Sequence, residues 1–346
     1  MKKHESYELK QYQSLSLDSK IRMSQQRIKS WYEYYDGKVY VSRSGGKDSD
    51  VLGHIVSQMY PDVPHIYIKN GLDNCSVRNH GISIADEVLR PMLSHYEVIL
   101  KYGYPVIGKE VAQAVNECQK AKEKGKPLPQ YRLEKFEGKK LDKNGEKSSY
   151  NMDQYAYLLD APFRISSKCC YYMKKVPAFK YEKETGRKPY LGTLAEESRL
   201  RKSKWMQYGC NAFEESRPTS QPLSFWTEQD ILQYIKIYHL DIASIYGNIV
   251  YVGKDGYEYP EIMFDSGDYK LTTSNAKRTG CVFCLFGITQ DTKRFLRLKE
   301  TEPEVYDYVM RGGKWDENGM WVPHKGLGYK FIINWLNEHG KLNIEY

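Results

Sequence analysis

An α/β fold, with a Rossmann-like parallel sheet and helices on its faces, is predicted for this chain by two observations. Short β-branched and aromatic runs alternate with helical stripes between residues 17 and 100, and two strand-like runs, 38–42 there and 188–191 further on, break at once into glycine and charge. Parallel strands need long crossovers, which helices supply, and ligands then lie beyond the carboxyl ends of the strands.

Each element follows in order. Residues 17–35 place Ile21, Ile28, Trp31, Tyr32 and Tyr35 on a helical stripe that Asp36-Gly37 closes. The strand 38–42, the helix 48–60 and the strand 65–68 make one βαβ unit. A helix near 84–96 and a strand at 96–100 repeat the alternation. After a basic segment the pattern resumes at Tyr155 and reaches the strand 188–191. Thr227 is the expected N-cap of a further helix, with Asp230 three residues on as a variant capping box ahead of Ile231, Ile235 and Tyr238. Residues 315–321 read as a hairpin around Asn318-Gly319, and a last helix covers 329–338. The expected organisation is a helical lead-in at 1–37, an α/β domain at 38–250 with an insertion at about 120–150, and a cysteine-containing helical region at 251–346.

Composition narrows the classes. The chain has 346 residues, 52 Lys and Arg against 44 Asp and Glu, a net charge of +8, and 31 Tyr. The longest apolar stretches, 281–288 and 331–336, are too short to span a bilayer, and no apolar signal core follows the charged N-terminus, so a cytoplasmic protein without membrane contact is expected. Much of the positive excess sits at 120–147, where ten Lys or Arg meet five acidic residues and few apolar ones. Such a segment is expected to hold no core of its own. A solvated surface insertion is the simpler reading; a mobile arm meeting DNA or RNA phosphates is the functional one.

The run Ser44-Gly45-Gly46-Lys47-Asp48-Ser49 joins the first strand to its helix. Two glycines let the backbone approach an anion closely, the helix start aims free N–H groups at it, and Ser44 and Ser49 add hydroxyls. The order is not the Walker pattern, because Lys47 precedes an acidic residue. It resembles the PP-loop Ser-Gly-Gly-x-Asp-Ser of ATP pyrophosphatases. Three further segments extend the likeness over most of the chain. Gly192-x-x-Ala195-x-Glu197-Ser198-x-x-Arg201 resembles the Gly-x-x-Ala-x-Glu-Ser-x-x-Arg signature of the phosphoadenosine phosphosulfate (PAPS) reductase superfamily. Pro222-Leu223, Trp226-Thr227 and Asp230-Ile231 look like its Pro-Leu-x-x-Trp-Thr-x-x-Asp-Ile element. Cys169-Cys170 with Cys281-x-x-Cys284 resembles the set that holds a [4Fe-4S] cluster in many members.

The resemblance implies an adenine-nucleotide α hydrolase-like fold with five or six parallel strands. It implies ATP and Mg2+ as ligands, with Ser44, Gly45, Gly46, Lys47, Asp48 and Ser49 around the pyrophosphate, Gly71 and Gly192 in neighbouring loops, and Glu197 and Arg201 on the opposite wall. A structural ion pair between Glu197 and Arg201 is the plainer alternative. Cys-x-x-Cys joined to a Cys-Cys pair is a strong metal signal, with zinc as the competing occupant. Adjacent cysteines seldom both face one cluster without backbone distortion, so Cys210 is an alternate to Cys169; Cys75 and Cys118 are expected to be unligated. Three ligands would leave an iron open for a hydrosulfide.

Departures sharpen the function. Asn70-Gly71-Leu72-Asp73 stands where many relatives have Thr-Gly-Leu-Glu. Sulfonucleotide reductases attack with a cysteine near the C-terminus, and residues 341–346 contain none. The first expectation is therefore ATP cleavage to AMP and pyrophosphate, activating an acceptor for sulfur transfer. This is similar to the ATP pyrophosphatases of DNA phosphorothioation and to prophage-associated PAPS-reductase-like proteins, with a cysteine desulfurase or a DNA-binding protein as partner. Sulfonucleotide reduction with an external thiol is the second expectation, and a nucleotide- and cluster-bound regulatory partner of a DNA-binding protein the third.

Overall fold

A computed structural model of the chain describes residues 4–254, 256–259 and 269–346. The first three residues of the lead-in, and residues 255 and 260–268 of the expected C-terminal region, lie outside the described residues. The chain divides into two compact units, each built from two stretches: Met1–Arg90 with Pro177–Thr279, and Pro91–Val176 with Gly280–Tyr346. This differs from the expected boundary at 250. The six-stranded sheet draws its strands from residues 39–89 and 188–220 only, so the stretch between them contributes nothing to it.

The first unit is α/β. Its sheet runs in the order Glu87–Leu89, His65–Ile68, Val39–Arg43, Lys188–Leu191, Thr219–Ser220, Asn211–Ala212. The first five are parallel and the last is an antiparallel edge. From Val39–Arg43 the chain steps outward twice on one side and then returns to the other, which makes the end of Val39–Arg43 the topological switch point. Val39 and Val41 are wholly buried, with Val51, Leu52, Ile55 and Val56 of the helix Lys47–Met59 packed in the same core. Ile28 and Trp31 of the helix Leu17–Tyr34 enter that core, while Ile21, Tyr32 and Tyr35 pack at its margin. Asp36 and Gly37 both take positive φ and end the stripe.

The capping box at Thr227 has a second use. Asp230 accepts from the Thr227 amide and hydroxyl, both at 2.7 Å, and also from Lys20 Nζ at 2.6 and 2.8 Å. Lys20 is 2% exposed and Asp230 7%. Removing one partner of such a pair leaves a buried charge uncompensated, so Asp230→Ala is expected to cost about 3–5 kcal/mol. A urea titration checks this as a lowered midpoint at unchanged slope.

The second unit is mainly helical, with His95–Tyr102, Lys109–Glu123, Gln130–Phe136, Arg294–Thr301, Pro303–Met310 and Tyr329–Gly340 around Phe163, Leu285, Phe295, Tyr329, Ile332 and Leu336. Val106–Ile107 pairs in parallel with Leu285–Phe286, and the hairpin expected around Asn318-Gly319 pairs Lys314–Trp315 with Trp321–Val322. Residues 96–100 are helical, not a strand. Ser94 caps the helix His95–Tyr102, its hydroxyl accepting from the Glu97 amide while Glu97 accepts back, a capping box that outweighs the β-branched look of Val98 and Ile99. The helix expected at 84–96 is replaced by Cys75–Ser83, capped by Asn74, and by the third strand Glu87–Leu89. Among the described residues no helix is long and apolar enough to cross a membrane.

Candidate functional site

Three loops of the first unit leave the same edge of the sheet, after Arg43, Ile68 and Leu191. In the first, Gly45 holds φ +70°, and a Cβ there would lie 2.3 Å from the Val77 carbonyl oxygen, so only glycine fits. Gly46 is the N-cap of the helix Lys47–Met59 and offers no side-chain cap; the Ser49 amide turns back to Gly46 O at 2.9 Å and the Lys47 amide meets the Tyr246 hydroxyl. Ser49 Oγ knits the turn by donating to Gly46 O (2.8 Å) while accepting from the Ser44 amide and hydroxyl, each at 3.1 Å.

The loop after Leu191 is built to approach this turn. A Cβ on Gly192 would meet Asp48 O at 2.8 Å and Ser49 Cα at 2.9 Å. Ala195 is buried, Glu197 accepts from the Leu194 amide at 3.1 Å, and Ser198 caps the helix Arg199–Tyr208 by accepting from the Arg201 amide at 3.2 Å. Glu197 and Arg201 form an ion pair. The spaced residues of that segment thus share one device: close approach, core anchor, turn closure, helix cap and a positioned guanidinium. In the third loop Gly71 has φ +74° and an open surrounding, while Leu72 N–H donates to Asn70 Oδ1 (2.7 Å) and Asn70 Nδ2 to Asp73 Oδ2 (3.0 Å). Asn70 and Asp73 therefore brace this loop.

Charge converges on Asp48. Burial raises its carboxyl above the usual range; Glu228 adds to the shift, while Lys47, Arg201 and Arg278 oppose it. Its Oδ1 is buried without a hydrogen-bond partner. Lys47, only 5% exposed, donates to Lys277 O at 3.3 Å, pairs with Glu228 at 3.2 Å and lies over the Tyr246 ring. Tyr246 hydroxyl accepts from the Lys47 amide (3.4 Å) and lies 2.8 Å from Thr279 Oγ1. Arg201 is lowered by burial and by Arg278, with Asp48 holding it charged. Glu228, Tyr246, Arg278 and Thr279 escaped the sequence reading. The basic run Lys277-Arg278, two residues ahead of Cys281, is a local signal for Arg278; nothing local marks Tyr246 or Glu228.

The four cysteines of the two motifs all belong to the second unit. Burial, then Cys170, Cys281 and Cys284, push the Cys169 thiol upward, and Lys174 opposes them. Cys284 is raised by burial and by Cys170; the Phe286 N–H donating to its sulfur at 3.4 Å, together with Arg294 and Lys174, pulls the other way. The Cys284 amide closes the turn on Cys281 O at 3.2 Å. A π-helical turn, Tyr171–Lys175, follows Cys170 directly, a backbone distortion of the kind that adjacent ligands require. Cys210 has other company: Ser224 Oγ donates to its sulfur at 3.4 Å, and Trp205 and Arg27 flank it. Cys118 neighbours Arg132, Glu117 and Lys122. Among the described residues no group of three or more His, Cys, Asp or Glu is arranged to hold a metal ion.

The basic insertion corrects an expectation. It is not merely solvated: Arg132, Lys135 and Phe136 of the helix Gln130–Phe136 are buried, the two charged ones on partners that lie outside the segment. Arg132 holds Glu117 through two bonds (2.8 and 3.0 Å), Lys135 pairs with Glu110 at 2.7 Å, Lys139 with Glu137 at 2.8 Å and Lys147 with Asp153 at 2.9 Å. Acidic partners on neighbouring segments convert an apparently solvated charge run into packed structure.

No family model matches the chain, and no match is found among curated proteins. One solved structure it is similar to is the phosphoadenylyl-sulfate (PAPS) reductase from Candida auris, in a phosphate complex. The two are 16% identical over 67% of this chain and 91% of that one, with a TM-score of 0.36. So distant a likeness adds no weight to any functional reading, and the fold rests on the strand order and the three loops described above.

Proposed function

We propose that this chain is an ATP pyrophosphatase of the PAPS reductase superfamily, which binds ATP with magnesium at residues 44–49 and cleaves it between the α and β phosphates to activate an acceptor for sulfur transfer. One observation carries the reading. A glycine turn that only glycine can make sits at the switch point of a parallel sheet, with Lys47, Arg201 and Arg278 gathered around Asp48.

The chemistry follows from these groups. An acceptor oxygen attacks the α-phosphorus, the bond to the bridging oxygen breaks, and pyrophosphate leaves. A sulfur nucleophile then displaces AMP, which departs with the acceptor's oxygen. Negative charge grows on the leaving pyrophosphate, where first-turn amides, Lys47 and Arg278 would stabilise it. Asp48 Oδ1, without a hydrogen-bond partner, suits magnesium, which takes carboxylate and phosphate oxygens. Glu228 holds Lys47 meanwhile, so phosphate exchanges one anion for another instead of meeting a bare ammonium.

A [4Fe-4S] cluster on Cys169, Cys170, Cys281 and Cys284 rests on the motif resemblance, supported by the influence of the other three thiols on Cys169, the N–H donor on the Cys284 sulfur, and Lys174 and Arg294 offsetting negative charge. Such a cluster supplies sulfur-binding or electron-transfer chemistry when bound. Nucleic acid as the acceptor rests on the motif resemblance alone, since the ion pairs on Lys135, Lys139 and Lys147 lend it no support. The test is a product assay on the anaerobically purified full chain with labelled ATP and magnesium. AMP and pyrophosphate are expected; ADP and phosphate would overturn the assignment, and tight binding without turnover would favour a nucleotide-sensing role.

A further inference from the structure

A small space over Gly46 is ringed by hydroxyls from three segments of the first unit. A Cβ on Gly46 would lie 3.2 Å from Tyr246 Oη, 3.3 Å from Ser44 Oγ and 3.5 Å from Thr279 Oγ1, so glycine keeps open a volume that a side chain would fill. Tyr246 ends the short helical turn Ser244–Tyr246 and is 2% exposed, packed with Val77 and Ala243. Thr279 follows a segment pinned to that turn: Asn275 N–H donates to Tyr246 O and Ala276 N–H to Ile245 O, both at 3.1 Å. Gly247 lets the two segments touch, since a Cβ there would lie 2.3 Å from Ser274 Oγ. The two remote hydroxyls are thus fixed over the turn by the fold itself.

Their hydrogen bonds show what they are fixed for. Tyr246 Oη and Thr279 Oγ1 are 2.8 Å apart, and Tyr246 Oη accepts from the Lys47 amide at 3.4 Å, a long bond for an N–H donor. Neither oxygen has a further hydrogen-bond partner among the described residues. Two hydroxyls carry two hydrogens, so one bridges the pair and the other is left to donate. We propose that Tyr246 and Thr279 are pyrophosphate-binding residues, whose hydroxyls act with the Lys47 amide to seat a phosphate oxygen of the leaving group in the space over Gly46. The proposal rests on the ATP-cleaving reading above and extends its site to a segment outside the glycine turn. A phosphate oxygen is charged and accepts several bonds at once. The Lys47 amide therefore exchanges a long bond to a phenol for a shorter one to an anion, and the pair gains a charged acceptor for its remaining hydrogen. Lys47 Nζ, 5.6 Å from the centroid of the Tyr246 ring, brings positive charge to the same place.

Calorimetric titration of the full chain with inorganic pyrophosphate and magnesium reads this seat directly. Tyr246→Phe and Thr279→Val each keep the shape of the side chain and remove the hydroxyl. Each should weaken pyrophosphate binding by about tenfold, the worth of one hydrogen bond to a charged acceptor. Gly46→Ala, whose methyl fills the space, should abolish binding in a chain that still folds. Tyr234→Phe removes another buried phenol, one that meets His54 Nδ1 at 2.8 Å, and should leave the affinity unchanged. Unchanged affinity in Tyr246→Phe overturns the proposal, and so does an equal loss in Tyr234→Phe. Wild-type protein that binds no pyrophosphate overturns it as well, as does failure of both hydroxyl variants to fold, because the pair would then be serving the protein itself. The ATP-cleaving reading fails separately, when labelled ATP gives ADP and phosphate whatever the titrations show.

Discussion

Lys47→Met is expected to lower AMP and pyrophosphate formation by at least about 100-fold while leaving the chain folded, because one well-placed donor to a developing oxyanion is worth roughly that much. Methionine keeps the apolar stem against Tyr246 and deletes only the ammonium. The lost partner, Glu228, is more than a third exposed and can turn to water, so the stability cost should stay near 1 kcal/mol or below. Rates measured with labelled ATP, alongside thermal melts of both proteins, separate the two effects. A variant that keeps its rate would remove Lys47 from the chemistry. One that loses its fold would show that the 5% exposed ammonium is chiefly structural. The same substitution distinguishes Lys47 from Arg278: if Arg278 carries the pyrophosphate charge alone, the Lys47 variant loses affinity for ATP and keeps its turnover at saturation.

What was legible in the sequence was local. The glycine turn, its strand and its helix are contiguous, and steric limits at Gly45 act within a few residues, so residues 44–49 could be read directly. The same holds for Thr227 and Asp230, whose capping box is closed over three residues. The misreadings came where a local signal was passed over or where the partner was remote. Ser94-x-x-Glu97 is a capping box, a local signal that opens a helix where a strand at 96–100 is expected. Arg132 is paired with Glu117 fifteen residues earlier, and Lys135 with Glu110 at still greater separation, so composition alone made the insertion look merely solvated. Tyr246 and Glu228 reach Lys47 from about two hundred residues away, and no spacing rule announces a contact that only the sheet topology creates. The cysteine pair was legible as a metal signal, but the choice between Cys169 and Cys210 depended on which residues surround each thiol, and that is tertiary information.

That choice is open to a direct measurement. Serine in place of Cys169, Cys170, Cys281 or Cys284 is expected to cut bound iron by about an order of magnitude in anaerobically purified protein, since a thiolate is both ligand and charge for the cluster and a hydroxyl replaces neither well. Cys210→Ala should retain iron at the wild-type level, because the Cys210 sulfur accepts from Ser224 and neighbours Trp205 and Arg27, all within the first unit. Elemental analysis for iron, sulfide and zinc on each variant, with visible absorption as a second readout, ranks the five residues. The ranking decides more than ligand identity. If Cys169→Ser keeps its iron while the other three lose it, one iron has no thiolate and can accept a hydrosulfide, which would make the cluster the sulfur source. If all four variants lose iron, every iron is capped by protein, and sulfur must arrive from outside. Loss of iron in Cys210→Ala with retention in Cys169→Ser would reverse the assignment and require Cys210 to leave its bond to Ser224.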